Sequence, residues 1–90
     1  MNNQDNEILA ILQEECAEVI QAISKINRFG FTGLNPRDHR SNQQHLEEEL
    51  GDLVCMVQLL IENKIVESRN VDTAALNKRA KLKQWSNIFN

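Results

Sequence analysis

Apolar side chains recur along this chain at helical intervals, and they do so in three separate stretches. Ile8, Leu12, Val19, Ile23 and Ile26 are spaced by three, four and seven, the signature of one buried stripe on an α-helix. The spacing predicts a first helix from about Asp5 to about Arg28, with Asp5 or Asn6 as its cap. A polar, turn-rich connector follows from Phe29 to Arg40, holding Gly30, Gly33, Asn35 and Pro36. Ser41 with Gln44 three positions later reads as a capping box, and Leu46, Leu50, Leu53, Val54, Val57, Leu60 and Ile61 carry a second helix to about Asn63. A third helix is predicted from an Asp72 cap towards Gln84, with a basic polar face of Lys78, Arg79, Lys81 and Lys83 and an apolar tail of Trp85, Ile88 and Phe89.

The expected fold is all-α: a helical hairpin plus a third helix in a single domain over residues 1–90. Between Leu53 and Ile61 only Gln58 is polar. A helix apolar nearly all round must be covered on more than one side, and two other short helices hardly suffice. The expectation is a four-helix-bundle-type core completed by oligomerisation, as a homodimer or homotetramer.

Composition narrows the function. With 3 glycines, 1 proline and no tyrosine, a turn-rich β fold is disfavoured. Thirteen acidic against 10 basic residues give a charge of −3, which argues against a surface devoted to nucleic acid. The longest apolar run is too short to span a bilayer, and the polar opening Met1-Asn2-Asn3-Gln4-Asp5 is no secretory signal. Cys16 and Cys55 have no metal-site spacing and read as two reduced core thiols of a cytoplasmic protein.

Some carboxylates sit where solvated ones do not belong. With Leu12 as the centre of the first stripe, Glu15 falls about 60° away and Glu18 about 120° away, while Glu14 and Gln21 face water. On the second helix Glu49 sits on the shoulder of the Leu46–Leu50–Leu53–Val57 stripe, and Asp52 follows one turn later beside Met56 and Leu59. One Glu-x-x-Glu or one Glu-x-x-Asp is an ordinary solvated face. Two such pairs, one on each helix of a hairpin, bring four carboxylates together. At about 5 Å and an effective dielectric of 20, each like-charged pair costs roughly 3 kcal/mol. No lysine or arginine shares those faces, so either some are protonated or a divalent cation lies between them. All-oxygen ligation points to Mg²⁺ or Mn²⁺, or to Ca²⁺, and away from zinc and copper. Such a cation with open water positions is a usual partner of phosphate groups. A di-iron bundle would need Glu-x-x-His, which neither His39 nor His45 supplies.

Glu14-Glu15-Cys16-Ala17-Glu18 followed by Glu49-Leu50-Gly51-Asp52 resembles the E-E-x-x-E … E-x-x-D pattern of the MazG-like all-α nucleoside triphosphate pyrophosphohydrolases. The text "LQEECAEVIQAISK" and "HLEEELGDLVCMVQLLIEN" is similar to the two core helices of that family over about residues 7 to 64. The gap between Glu18 and Glu49 is at the long end for the family. The resemblance implies hydrolysis of a (deoxy)nucleoside triphosphate to monophosphate and pyrophosphate, as nucleotide-pool house-cleaning. It implies Mg²⁺ at Glu15, Glu18, Glu49 and Asp52, in subunits that associate. It also matches Asn63 to a nucleotide-contacting position.

From the chemistry, Glu15 or Glu18 is the candidate base for the attacking water. Lys78, Arg79, Lys81, Arg37 and Arg40 are candidate cations for the polyphosphate. Phe29, Phe31, His45 and Trp85 are the planar groups available to a base, with His45 otherwise a surface histidine. The alternative is a non-catalytic helical oligomerisation or interaction module. A nucleic-acid binder using the +3 segment Val71–Asn90 ranks below both.

Overall fold

The computed structural model describes all 90 residues, and its regular elements are three helices: α1 (Asn3–Phe29), α2 (Asn42–Glu62) and α3 (Ser68–Trp85). α1 begins earlier than expected because Asn2, not Asp5 or Asn6, is the cap. Its side chain accepts from the Asp5 N–H at 2.7 Å, which leaves Asp5 in the first turn, where the helix dipole favours an anion. α1 stops at Gly30, whose φ of 82° lies in the left-handed region open to glycine.

The connector is tied rather than loose. Asn42 donates through its backbone N–H to the Gly33 carbonyl at 2.8 Å and through its side chain to the Gly30 carbonyl at 3.0 Å. Asn35 and Asp38 each accept a backbone N–H two residues on, from Arg37 and Arg40. Gly33 is required by space. A Cβ there would lie 2.8 Å from both the Asn42 amide nitrogen and the Phe29 carbonyl oxygen.

α2 opens on the expected capping box: Ser41 Oγ accepts from the Gln44 N–H, and the Gln44 side chain accepts from the Ser41 N–H. At its end Asn63 donates to the Leu59 carbonyl. The next turn closes with the Ile65 N–H on the Leu60 carbonyl. The chain re-enters a helix at once, so α3 starts at Ser68 and the expected cap Asp72 lies inside it. Glu67 precedes α3 without a side-chain cap.

α1 and α2 pack as an antiparallel hairpin around Ile8, Met56 and Leu60, flanked by Leu9, Ile11, Leu12, Leu59, Ile65 and Val66. α3 makes no packed interface with them, and every residue from Val71 to Lys81 is exposed. The Cα trace measures 40 × 38 × 14 Å, about one helix diameter thick. Its radius of gyration is 16.0 Å, where a compact chain of this length has about 12 Å.

Helical periodicity places Glu18 and Asp52 on one flank of the seam and Ile20, Ile23, Leu50 and Val54 on the other. Ile20 is 67% exposed and Val54 53%. Cys16 and Cys55 are free, as expected, but both are exposed rather than in the core. The seam runs through Ile8 and Ala22, which turns Cys16 outward. No helix is long and apolar enough to cross a membrane.

Candidate metal centre

Glu15 and Glu18 lie one turn apart on α1, and Glu49 faces them from the middle of α2. One carboxylate oxygen from each lies within 4.8 Å of the other two. Glu15 points into the seam itself. Its Oε2 and that of Glu49 are shielded from solvent and have no hydrogen-bond partner. Asp52 follows one turn after Glu49, exposed and outside this close set, though near enough for its charge to act on both Glu15 and Glu49.

Charges of one sign in a half-buried seam hold protons tightly. The Glu49 carboxyl is pushed up to about 7, first by burial, then by the Glu18 carboxyl within hydrogen-bonding reach, then by the charges of Glu18, Asp52 and Glu15. Burial, followed by Glu18, Asp52 and Glu14, also raises Glu15 above the ordinary carboxylate range. No cation relieves them. The chain's ion pairs are Arg40–Glu48 at 2.6 Å and His45–Asp38 at 3.2 Å. A recess of about 60 Å³ adjoins the cluster, lined by Glu18, Gln21, Ala22, Lys25, His45 and Glu49.

Unpaired, oxygen-only and partly desolvated, this donor set suits a hard divalent cation. Orphaned buried oxygens are costly unless something satisfies them.

Other sequence candidates are dispersed. Lys78 and Lys81 sit on exposed α3, away from the carboxylates. Lys78 shares a separate groove with Leu76, Arg79, Leu82 and Phe89, and Phe89 lies under the Arg79 guanidinium. Trp85 is 82% exposed at the end of that helix. Arg40 is engaged by Glu48 instead of being available to a ligand. His45 is half-buried against Asp38, not a free surface histidine, and with Arg40 it holds that carboxyl below its usual range through hydrogen bonds led by the Arg40 N–H. Arg37 lines a cleft of about 500 Å³ beside the connector. Asn63 lines another of similar size at the start of α1. Phe29 is exposed on the connector cleft, with Arg28 stacked on its ring, and Phe31 is exposed nearby.

Two neighbours of the cluster were not anticipated. Gln21, expected to face water, borders the recess, and so does Lys25. Lys25 is seven residues after Glu18, which puts both on one flank of α1. That spacing was the available signal.

No curated protein and no solved structure matches the chain. The family model of the MazG nucleotide pyrophosphohydrolase domain matches residues 3–84, a span that contains both carboxylate pairs and all three helices apart from the last residue of α3. The chain therefore belongs to the MazG nucleotide pyrophosphohydrolase domain family.

Proposed function

We propose that this protein hydrolyses a (deoxy)nucleoside triphosphate to the monophosphate and pyrophosphate, removing unwanted nucleotides from the cytoplasmic pool. The observation that carries the reading is the close set of Glu15, Glu18 and Glu49, with two shielded oxygens that nothing in the chain satisfies. These three, with Asp52 at the rim, would hold Mg²⁺, and Mn²⁺ would substitute. When bound, such an ion neutralises phosphate oxygens and acidifies a water.

The side chains then have distinct tasks. Glu49 stays fixed in the seam. Glu15 or Glu18, whichever carboxylate is not taken up by the ion, accepts the water's proton. The water oxygen bonds to phosphorus and the α–β bridge breaks, so pyrophosphate departs as an anion. Its charge needs cations. Arg37 lies on the same chain's connector, whereas Lys78 and Lys81 would reach a site only from another subunit. Asn63 would contact the nucleoside.

The shape supports association. A plate 14 Å thick that exposes Ile20, Ile23, Leu50 and Val54 on one flank would bury them by pairing with a second copy. That gives the four-helix core the apolar α2 calls for.

The test is a pyrophosphate-release screen over ordinary and modified nucleotides with Mg²⁺ and with Mn²⁺. Release from at least one triphosphate is expected. Silence across the whole panel with both metals overturns the assignment and favours a non-catalytic helical interaction module.

A further inference from the structure

α3 carries a seam for another helix that nothing in its own chain covers. Val71, Ala75, Lys78, Leu82 and Trp85 recur by four and three, the spacing of a helix–helix contact stripe. Val71, Ala75, Lys78 and Trp85 are exposed and Leu82 is half-buried, and α3 has no packed interface with α1 or α2. A helix of 18 residues left uncovered in water is marginal, so α3 needs a surface to lie on.

Its own hairpin is out of reach because the turn between α2 and α3 is pinned. The Ile65 and Val66 N–H groups both donate to the Leu60 carbonyl, at 2.9 and 3.4 Å, and both side chains pack on the hairpin core. The Val71 N–H already closes on the Glu67 carbonyl. α3 therefore leaves the turn as helix, with no slack in which to fold back.

Surface area and charge point to a second copy. The chain exposes 7200 Å², where a compact protein of 10.4 kDa exposes about 5,400 Å². The excess is about 1,800 Å² per chain, or about 3,600 Å² for two, within the range of obligate homodimers. Ile20, Ile23, Leu50 and Val54 supply only part of it, since each is smaller than an aromatic side chain of roughly 150–250 Å² and is already partly covered. Residues 1–66 hold 11 acidic and 5 basic side chains, a charge of −6, whereas α3 holds five basic and one acidic, a charge of +4. Two hairpins brought together repel, and an α3 laid on the other copy's hairpin offsets that repulsion. Lys78, in the middle of the seam, calls for a carboxylate opposite, which an acidic hairpin provides and a second α3 does not.

We propose that α3 is exchanged between two copies: the α3 of each chain lies along the partner's hairpin, beside the contact between the two apolar flanks. This rests on the pairing proposed above and not on the hydrolase activity. The exchange is reciprocal, so one two-fold axis buries both α3 seams and leaves no open end.

Nuclear magnetic resonance on a mixed sample, half the chains labelled with ¹³C and half with ¹⁵N, reads contacts between copies separately from contacts within one. Val71, Ala75, Leu82 and Trp85 should show cross-chain contacts to side chains of α1 and α2. Val71→Glu with Trp85→Glu should weaken self-association at least about tenfold, as loss of central anchors does, and reduce the helical circular dichroism as α3 frays. Both residues are exposed within their own chain, so the hairpin core is untouched. Cross-chain contacts that join only hairpin to hairpin, or only α3 to α3, overturn the exchange and leave the pairing standing, as does an unaltered dimer in the variant. A chain that is a monomer by light scattering at the concentration of the resonance sample overturns both. Turnover of nucleotides enters none of these outcomes, so the hydrolase reading is judged apart from them.

Discussion

Replacing Glu49 with glutamine keeps the shape of the side chain and deletes the carboxyl that the seam strains most. Its pKa stands at about 7 against an ordinary 4.5. A carboxyl raised on folding binds its proton more tightly in the native state, so it costs stability as pH rises through 4.5 towards 7. Below about 4.5 the group is protonated in both states and costs nothing. Each pKa unit corresponds to 1.36 kcal/mol, which sets a ceiling of about 3 kcal/mol, and solvent screening of this half-buried group reduces that to roughly 1–2 kcal/mol. For a chain of this length that is roughly 5–10 °C in Tm. Melting curves at one fixed protein concentration, in EDTA, should therefore show Glu49→Gln more stable than wild type at pH 8 and equal to it near pH 4.5. Adding Mg²⁺ at pH 8 should stabilise wild type by mass action and leave the variant almost unmoved. A variant destabilised by the same amount at both pH values would refute the reasoning, because it would show that Glu49 acts as a packing group rather than as a confined charge. An equal response of both proteins to Mg²⁺ would refute it as well.

Asp52 stands outside the close set, so Asp52→Asn should raise the Mg²⁺ concentration for half-maximal turnover by roughly tenfold and recover part of its activity in excess metal, whereas Glu49→Gln should not recover; a metal titration of initial rates separates the two. Gly33→Ala forces a Cβ to within 2.8 Å of the Phe29 carbonyl oxygen and should cost about 1–3 kcal/mol in urea unfolding, the usual penalty of overpacking; an unchanged midpoint would mean that the connector relaxes freely. Val54→Glu together with Ile20→Glu places charge on the exposed apolar flank and, on the proposed pairing of two copies through that flank, should yield a monomer of lower turnover where the unsubstituted chain is a larger species, read by light scattering after gel filtration; an unaltered mass would remove that flank from the proposed interface.

Short-range features were the legible ones. The Ser41–Gln44 box needs only four residues and a helix to follow, and both hydrogen bonds form. The carboxylate pairs stood out because i, i+3 spacing beside an apolar stripe survives any small error in helix ends. What the stripe could not reveal was the position of the neighbour. Taking Leu12 as the centre put Glu15 on a shoulder, whereas the seam runs through Ile8 and Ala22, where Glu15 itself points inward and Cys16 outward. Arg40 looked free because its partner Glu48 lies eight residues away across a turn. Lys25 was missed because its value lies in bordering two depressions at once, a property of the folded connector. The separation of α3 from the hairpin was equally invisible, since an amphipathic pattern says that a face is to be covered and not by which chain.

The central claim, that Glu15, Glu18 and Glu49 grip a divalent cation which in turn engages polyphosphate, is tested most directly by electron paramagnetic resonance of Mn²⁺ titrated into the protein. Wild type should take up Mn²⁺ with loss of the free-ion signal, and the bound spectrum should change when a non-hydrolysable triphosphate is added. The Glu15→Gln, Glu49→Gln double variant should leave the ion free. Equal Mn²⁺ uptake by the double variant, or a bound spectrum indifferent to the triphosphate, would contradict the account.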